Sequence, residues 1–160
     1  LREGEYELLQ AAAEQCRNPY IWACIDFAVE TGMRRSEILS LLWKNVDLDS
    51  RIAVLPDTKN GSKREVPLTK KAAQILNRLP REEAHAFPTT DCTIRHGWDR
   101  LIKRAGIEGL RFHDLRHEAV SRFFEMGLSV PEVAAISGHK DYRMLASYTH
   151  VSAKSLAKKL

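Results

Sequence analysis

The chain has 160 residues, of which 44% are hydrophobic, so it can bury one globular core and is too short for two. A formal net charge of +4 is compatible with a polyanionic partner but does not by itself establish one. The longest apolar stretch, residues 20–29, is too short to cross a bilayer, and we expect a soluble, cytoplasmic protein. Because the three cysteines have neither Cys-x-x-Cys spacing nor a histidine at zinc-ligand distance, we expect no disulfide framework and no metal site.

We assign residues 1–160 to a single domain, because no internal repeat or low-complexity tract divides the chain. The sequence begins with Leu1 rather than Met. We therefore expect the chain to be part of a longer protein, with a further domain upstream of it.

The first 43 residues carry three helical patterns. The second begins after Pro19 and ends at Gly32, because apolar residues recur between these two signals at helical spacing. A third, short helix is predicted from about Arg35 to Trp43, which places Arg34 at its N-terminal edge. At such an edge, backbone N–H groups and a cationic side chain can face the same anion.

The apolar pattern then changes to that of strands. Residues 52–55 and 64–68 resemble two short strands, and Lys59-Asn60-Gly61-Ser62 between them is a hairpin turn signal. Helical patterns resume over residues 69–79 and 93–105.

The last third of the chain is helical and carries most of the polar side chains of interest. A helix that begins at His113 has one apolar face, and its other face presents His113, Arg116 and His117. A capping-box pattern at residues 129–132 opens the next helix, which ends immediately before His139. The elements together predict an α+β fold that is predominantly α-helical, with a small antiparallel β-hairpin or sheet.

Tyr148 follows His139 by nine positions and is preceded by several cationic side chains. A phenol has an unperturbed pKa of about 10, so a nucleophilic tyrosine needs neighbours that stabilise negative charge. Two arginines, a lysine and two histidines would supply that setting around a phosphate. They are Arg34, Lys59, His113, Arg116 and His139.

Each of these residues also has an ordinary structural explanation. Arg34 can form a helix-end ion pair with Glu37, and a lysine in a polar turn is usually solvated. His113 and His117 stand at the i, i+4 spacing of zinc ligands, but Asp114 occupies the position where a zinc protease carries its glutamate. A metal hydrolase would be sensitive to chelators, which separates this alternative from the phosphate site.

In combination, the motifs resemble those of the tyrosine recombinases, the phage-integrase family of site-specific DNA recombinases. Five motifs occur in the family's order and span most of the chain. They are Thr31-Gly-Met-Arg34-Arg-Ser-Glu37, Lys59-Asn-Gly-Ser-Lys-Arg-Glu-Val-Pro-Leu68, His113-Asp-Leu-Arg116-His117, Ser137-Gly-His139 and Tyr148-Thr-His150. The departures from the family's motifs are small. One of them is Ser137, which stands where many relatives have leucine. The resemblance implies the fold of a recombinase catalytic domain.

The resemblance also implies a reaction, in which the Tyr148 oxygen attacks a DNA phosphodiester to give a 3′-phosphotyrosine and a free 5′-hydroxyl. The covalent link conserves the bond energy, so neither ATP nor a cofactor is required. Arg34 and Arg116 match the arginines that donate hydrogen bonds to the non-bridging oxygens, where negative charge grows in the transition state.

The remaining motif residues would move protons or support the arginines. By the resemblance, Lys59 is the general acid for the leaving 5′-oxygen, and His113 accepts the proton of Tyr148. His139 is a further phosphate donor, and Glu37 supports the site without transferring a proton.

A second group of basic residues is expected to bind the DNA backbone, in a way that is independent of base sequence and sensitive to salt. They are Lys63, Arg64, Lys70, Lys71, Lys103 and Arg104. The resemblance further implies that the upstream domain binds DNA, that the substrate is double-stranded DNA attachment sites, and that accessory DNA-bending proteins take part. It also implies a homotetramer on DNA that is monomeric when free. It implies a prokaryotic mobile genetic element, with the protein on the nucleoid when DNA is bound. Residues 151–160 are either a tail that docks on a neighbouring protomer or a frayed terminus.

Two other functions fit the same motifs. A type IB topoisomerase resembles the recombinases in its Arg-Lys-Arg-His-Tyr site but relaxes supercoils without joining two partners. The motif of residues 31–37 favours a recombinase over a topoisomerase. A DNA-binding domain could also keep this fold without catalysing any reaction.

Overall fold

The computed structural model describes residues 1–56 and 63–148. The α-helices in these ranges are α1 (Glu5–Ala13), α2 (Pro19–Thr31), α3 (Arg35–Leu39), α4 (Lys70–Asn77), α5 (Asp91–Ala105), α6 (Asp114–Glu125) and α7 (Val130–Ser137). Two 3₁₀ segments cover Trp43–Asn45 and Tyr142–Tyr148, and the strands are β1 (Val46–Asp47), β2 (Ile52–Leu55) and β3 (Arg64–Pro67). Among the helices of these ranges, none is long and apolar enough to span a bilayer.

The strands form one antiparallel sheet in the order β1-β2-β3. Ala53 of β2 pairs with Val46 on one side and with Val66 on the other. Ala53, Leu55 and Val66 are buried, as the alternation of a half-buried strand requires. The two predicted strands are therefore confirmed. The sequence did not predict β1, because two residues are too few to show an alternating pattern.

The predicted fold class, a predominantly helical α+β fold with a small antiparallel sheet, is confirmed. Helix boundaries follow the predicted signals. The Asn18 side chain accepts a hydrogen bond from the Tyr20 N–H at 2.9 Å at the start of α2, and Gly32 ends that helix with a φ of 63°. Ser129 and Glu132 form the predicted capping box at the start of α7.

Helix α3 is shorter than predicted, because it ends at Leu39 and not near Trp43. The chain after α3 pairs with a distant loop instead of continuing the helix. The Trp43 N–H donates to the Ala84 carbonyl at 2.9 Å, and the Ala86 N–H donates to the Leu41 carbonyl at 2.8 Å. These long-range bonds satisfy backbone groups that a longer helix would have used, so tertiary structure overrides the local pattern.

Helix α2 runs through the middle of the fold and is buried along most of its length. It packs against α4, α5 and α6. Its Phe27 ring lies 5.2 Å from the ring of Phe87, between centroids, within the main hydrophobic core. Because α2 ends at Gly32, two residues before Arg34, this central helix fixes where the first arginine of the site emerges.

A smaller cluster of buried side chains joins α6, α7 and the Tyr142–Tyr148 segment. Its members are Ala119, Val120, Phe123, Val133, Ala134 and Leu145. Tyr148 packs at the edge of this cluster. The cluster therefore holds Tyr148 against α6, the helix that carries Arg116.

Candidate active site

Arg34 and Glu37 form the first part of the site, at the start of α3. The Arg34 N–H donates to Glu37 Oε2 at 2.8 Å, and Arg34 Nη1 donates to Glu37 Oε1 at 2.8 Å. The Arg34 side chain is 44% exposed, whereas the Glu37 side chain is 4% exposed. The buried Glu37 thus holds Arg34 in place and leaves part of the Arg34 guanidinium open to solvent.

Arg64, at the start of β3, binds the Glu37 carboxylate through two hydrogen bonds. Its Nη1 and Nη2 donate to Glu37 Oε1 and Oε2 at 2.8 and 2.9 Å. Burial alone would raise the pKa of Glu37, but the bonds from Arg64 and from the Arg34 backbone outweigh it and lower the pKa to about 2. Glu37 is therefore ionised at neutral pH, and its supporting role in the site stays a prediction.

Arg116 of α6 forms the buried centre of the site, with 4% of its surface exposed. Its Nη1 donates to the Gly32 carbonyl at 2.6 Å, and its Nη2 lies 3.4 Å from His139 Nε2. Burial, and then repulsion from Arg34, lowers the pKa of Arg116 to about 10. Arg116 stays cationic at neutral pH, and its bond to Gly32 ties α6 to the end of α2.

His139 follows the glycine that ends α7. The Ser137 hydroxyl donates to the Val133 carbonyl at 2.6 Å and also lies 2.6 Å from His139 Nδ1. Because that hydroxyl has a single hydrogen, we assign a proton to Nδ1 of the imidazole. Burial, followed by the charges of Arg116 and Arg34, lowers the pKa of His139 to about 4, so the ring is neutral at pH 7.

Tyr148 lies beside the site because it contacts His117, the residue after Arg116. The Tyr148 hydroxyl hydrogen-bonds to His117 Nδ1, and the phenol ring stacks between His117 and Phe124 at centroid distances of 5.9 and 6.3 Å. Burial raises the pKa of Tyr148 above its ordinary value, more than the charge of Arg116 lowers it. The phenol is neutral at pH 7 and needs an acceptor for its proton before it can attack.

His113, which we predicted as that acceptor, has no hydrogen bond to Tyr148 within the described ranges. Its ring instead makes an edge contact with the His117 ring at 5.2 Å. Burial, followed by His117 and Arg116, lowers the pKa of His113, so its imidazole is neutral at pH 7. The side chain in contact with the Tyr148 hydroxyl is His117, a residue that sequence reasoning left without a role in the reaction.

A pocket of about 270 Å³ opens between α3 and α6. Arg34, His113 and Arg116 line it, with Arg35 and Phe112 at its wall. Asp91 also lines the pocket and pairs with Arg35 at 2.6 Å, whereas Arg34 and Arg64 share the carboxylate of Glu37 and Arg116 has no carboxylate partner in the described ranges. The surplus of positive charge suits a bound anion such as a phosphodiester.

Lys59 and His150 lie outside the described residues, so their predicted places in the site stay predictions. Within residues 1–56 and 63–148, no three His, Cys, Asp or Glu side chains come together as metal ligands. The structure therefore brings five of the six predicted catalytic residues into one region. They are Arg34, His113, Arg116, His139 and Tyr148.

The basic residues predicted to bind the DNA backbone lie in different surroundings. Lys63, Lys70 and Lys103 are exposed. Lys71 is paired with Asp26 at 2.7 Å, and Arg104 donates to the Ala12 carbonyl at 2.6 Å. Lys103 and Arg104 also lie at the end of α5 opposite to Asp91, roughly 18 Å away at 1.5 Å per residue.

Arg64 does not lie on the exposed surface that we predicted for it. Its side chain is 14% exposed, and its guanidinium is engaged by Glu37 and by the Ile136 carbonyl. Its position at the start of a strand gave no sign of this, because the partners lie in α3 and α7. His117 was easier to find, since it directly follows Arg116 on the polar face of α6.

Comparison with known proteins identifies the family and the fold of this chain. Residues 1–155 match the phage integrase family. The shufflon-specific DNA recombinase of Escherichia coli is 45% identical over 146 residues, which are 90% of this chain and 38% of that protein. The catalytic domain of bacteriophage HP1 integrase is 25% identical with a TM-score of 0.80, over 99% of this chain and 90% of that domain. The Tn1549 transposon integrase in complex with transposon right end DNA has the same fold, with a TM-score of 0.77 and 18% identity over 99% of this chain and 63% of that one.

Proposed function

Because this chain belongs to the phage integrase family, we propose that it is the catalytic part of a site-specific DNA recombinase. The enzyme cleaves and rejoins DNA strands through a 3′-phosphotyrosine intermediate. The observation that carries this proposal is a single pocket lined by Arg34 and Arg116, with Tyr148 bonded to the next residue of the same helix. A nucleophile beside two guanidinium groups is the minimum that such a phosphoryl transfer requires.

In the proposed reaction, the Tyr148 oxygen forms a bond to phosphorus while the bond from phosphorus to the 5′-oxygen breaks. Arg34 and Arg116 donate hydrogen bonds to the non-bridging oxygens, on which negative charge grows. His139 becomes a further donor when its Nε2 is protonated. The reverse attack, by a 5′-hydroxyl from another strand, releases Tyr148 and completes strand exchange.

Two proton transfers accompany the bond changes. The phenolic proton of Tyr148 passes to an imidazole. His113 was the sequence prediction for that imidazole, and His117 is the side chain in contact with Tyr148. Lys59 gives a proton to the leaving 5′-oxygen. We keep this role for Lys59 on the strength of its motif, since the residue lies outside the described ranges.

We propose double-stranded DNA attachment sites as the substrate. The Tn1549 transposon integrase was solved with transposon right end DNA, which supports a DNA partner for a chain of the same fold. Lys63, Lys70 and Lys103 are exposed and free to approach phosphates. We further propose a tetramer on DNA, a monomer in its absence, accessory DNA-bending proteins and a prokaryotic cytoplasmic location. The chain spans 38% of the length of the shufflon recombinase. We also propose the upstream DNA-binding domain that the family motifs imply.

Covalent trapping on nicked suicide DNA that carries candidate attachment sites tests the proposed chemistry. The wild-type chain is expected to form a DNA adduct that survives a denaturing gel, and Tyr148→Phe is expected to form none because it lacks the attacking oxygen. Tyr142→Phe is the matched control, since Tyr142 is an exposed tyrosine of the same 3₁₀ segment. An adduct of undiminished intensity in Tyr148→Phe would contradict the proposal.

Plasmid relaxation and adduct formation, measured on the same proteins, separate the two alternative functions. A type IB topoisomerase would relax a plasmid without attachment sites, whereas the recombinase that we propose joins two sites and has little effect on such a plasmid. A DNA-binding domain without catalysis would bind DNA and form no adduct in any variant.

A further inference from the structure

Arg64, in strand β3, contacts two separate parts of the candidate site, helix α3 and the end of helix α7. It begins β3, and its side chain is 14% exposed. Its Nη1 and Nη2 hold Glu37 of α3, and its Nε donates to the Ile136 carbonyl of α7 at 3.2 Å. All three guanidinium nitrogens are therefore committed inside the protein, which is not the arrangement of a cation that waits for a DNA phosphate.

The contact with Glu37 determines what Arg34 can do. Each Glu37 oxygen accepts one bond from Arg64 and one from Arg34, so the carboxylate is saturated. Arg34 gives it only one side-chain nitrogen, and its other guanidinium nitrogens have no hydrogen bond to any residue in the described ranges. Without Arg64, the vacated Glu37 oxygens would attract the whole Arg34 guanidinium away from the pocket.

The contact with α7 acts on the other side of the site. Gly138 ends α7 with a φ of 74°, and a Cβ at that position would lie 2.7 Å from Arg64 Nη1. The guanidinium thus packs directly against the backbone of the residue before His139. One planar group, bonded at Glu37 and at Ile136, sets the separation between α3 and the end of α7.

We propose that Arg64 is a positioning residue of the phosphate site, which orients Arg34 through Glu37 and His139 through the end of α7. It does not touch the DNA itself. This inference rests on the proposed function, because its effect is on the geometry of phosphate binding. The planar fork is essential to it, since only an arginine can bond both carboxylate oxygens and a third acceptor at once.

The test measures single-turnover adduct formation on suicide DNA for Arg64→Gln and Arg64→Lys. Arg64→Gln is expected to slow adduct formation on the order of 10²-fold, the effect of a small misplacement of catalytic groups. Arg64→Lys is expected to restore only part of the rate, because lysine keeps the charge and loses the bidentate bond. The DNA dissociation constant and its salt dependence are expected to match those of the wild type.

Arg122→Gln is the matched control, because Arg122 also pairs with a buried carboxylate, Glu30, at 3.2 Å but lies in another part of the fold. It is expected to lower the urea midpoint without slowing adduct formation. A wild-type rate in Arg64→Gln would overturn the inference. So would a decrease of about one in the slope of log K against log salt, because that decrease is the sign of one lost phosphate contact.

A second measurement keeps this inference separate from the proposed function. If the wild-type chain forms no Tyr148-dependent adduct, the proposed function fails, and the geometry is then probed with inorganic phosphate. Titration of the Arg34 Nε–H resonance by NMR is expected to show weaker phosphate binding in Arg64→Gln than in the wild type. Equal phosphate binding in the two proteins would overturn the inference.

Discussion

Tyr148 and Arg116 come together because Tyr148 bonds to His117, the next residue along α6. The raised pKa of Tyr148 keeps its proton in place at neutral pH, so the neighbour that accepts this proton limits the attack. His117 contacts the Tyr148 hydroxyl directly, and the His113 ring lies 5.2 Å from the His117 ring, between centroids. The contact with Tyr148 favours His117 as the proton acceptor, whereas the sequence motif favours His113.

We expect His117→Phe to slow adduct formation by roughly 10²–10⁴-fold, the usual contribution of a single general base. Phenylalanine keeps a ring to stack on Tyr148 and removes the acceptor nitrogen. His113→Phe is the comparison, measured on the same suicide DNA in single turnovers. A larger loss in His113→Phe would return the role to His113.

A bridging sulfur in place of the 5′-oxygen shows which proton transfer a variant has lost. A thiolate leaves without a proton, so this substrate is expected to restore Lys59→Ala, which lacks the proposed general acid. It is expected not to restore His117→Phe, whose defect lies in accepting the Tyr148 proton. Recovery of both variants would argue that His117 is not the acceptor.

Helix α7 contributes to the site mainly through the way it ends. Gly138 takes a left-handed conformation, with a φ of 74°, that turns the chain and delivers His139 beside Arg116. Gly106 ends α5 in a similar conformation, with a φ of 67°, but has open space around it. The two glycines therefore separate the effect of backbone strain from the effect of crowding at the site.

We expect both Gly138→Ala and Gly106→Ala to destabilise the fold by about 1–2 kcal/mol, the cost of a left-handed residue with a Cβ. Only Gly138→Ala is expected to slow adduct formation, because its Cβ would meet Arg64 Cζ at 2.9 Å and displace the guanidinium. Urea unfolding and single-turnover rates on the two variants measure the two effects. Equal rates in the variants would mean that the Arg64 guanidinium can move without consequence.

A second set of charged side chains, outside the pocket lining, connects helices of the fold to one another. Glu30 of α2 is buried, accepts a bond from the Thr69 hydroxyl at 2.6 Å and pairs with Arg122 of α6 at 3.2 Å. Asp26 of α2 pairs with Lys71 of α4 at 2.7 Å. These contacts join α2 to α4 and to α6.

We expect Glu30→Ala to lower the free energy of unfolding by about 3 kcal/mol, because it leaves Arg122 and Thr69 without their buried partner. The urea midpoint at an unchanged m-value measures this loss. Arg143→Ala is the control, since the pair of Arg143 with Asp141 is exposed and is expected to contribute nothing measurable. A loss in Glu30→Ala no greater than that in Arg143→Ala would contradict the structural role of Glu30.

Sequence alone determined the helices that begin and end at strong local signals, such as Pro19, Gly32 and Ser129. It also predicted the members of the catalytic set in order, because each motif is a short contiguous run of residues. Local chemistry suffices for such features. The predicted end of α3 was wrong, because backbone hydrogen bonds to a distant loop determine where that helix ends.

The tertiary structure decided which side chains contact one another. Arg64 looked like a surface cation because a strand of four residues does not reveal a carboxylate in α3 or a carbonyl in α7. His117 acquired its contact with Tyr148 only when α6, α7 and the last 3₁₀ segment packed together. Spacing along the chain fixes the direction of a side chain within its own helix or strand, whereas its partners depend on how separate elements pack.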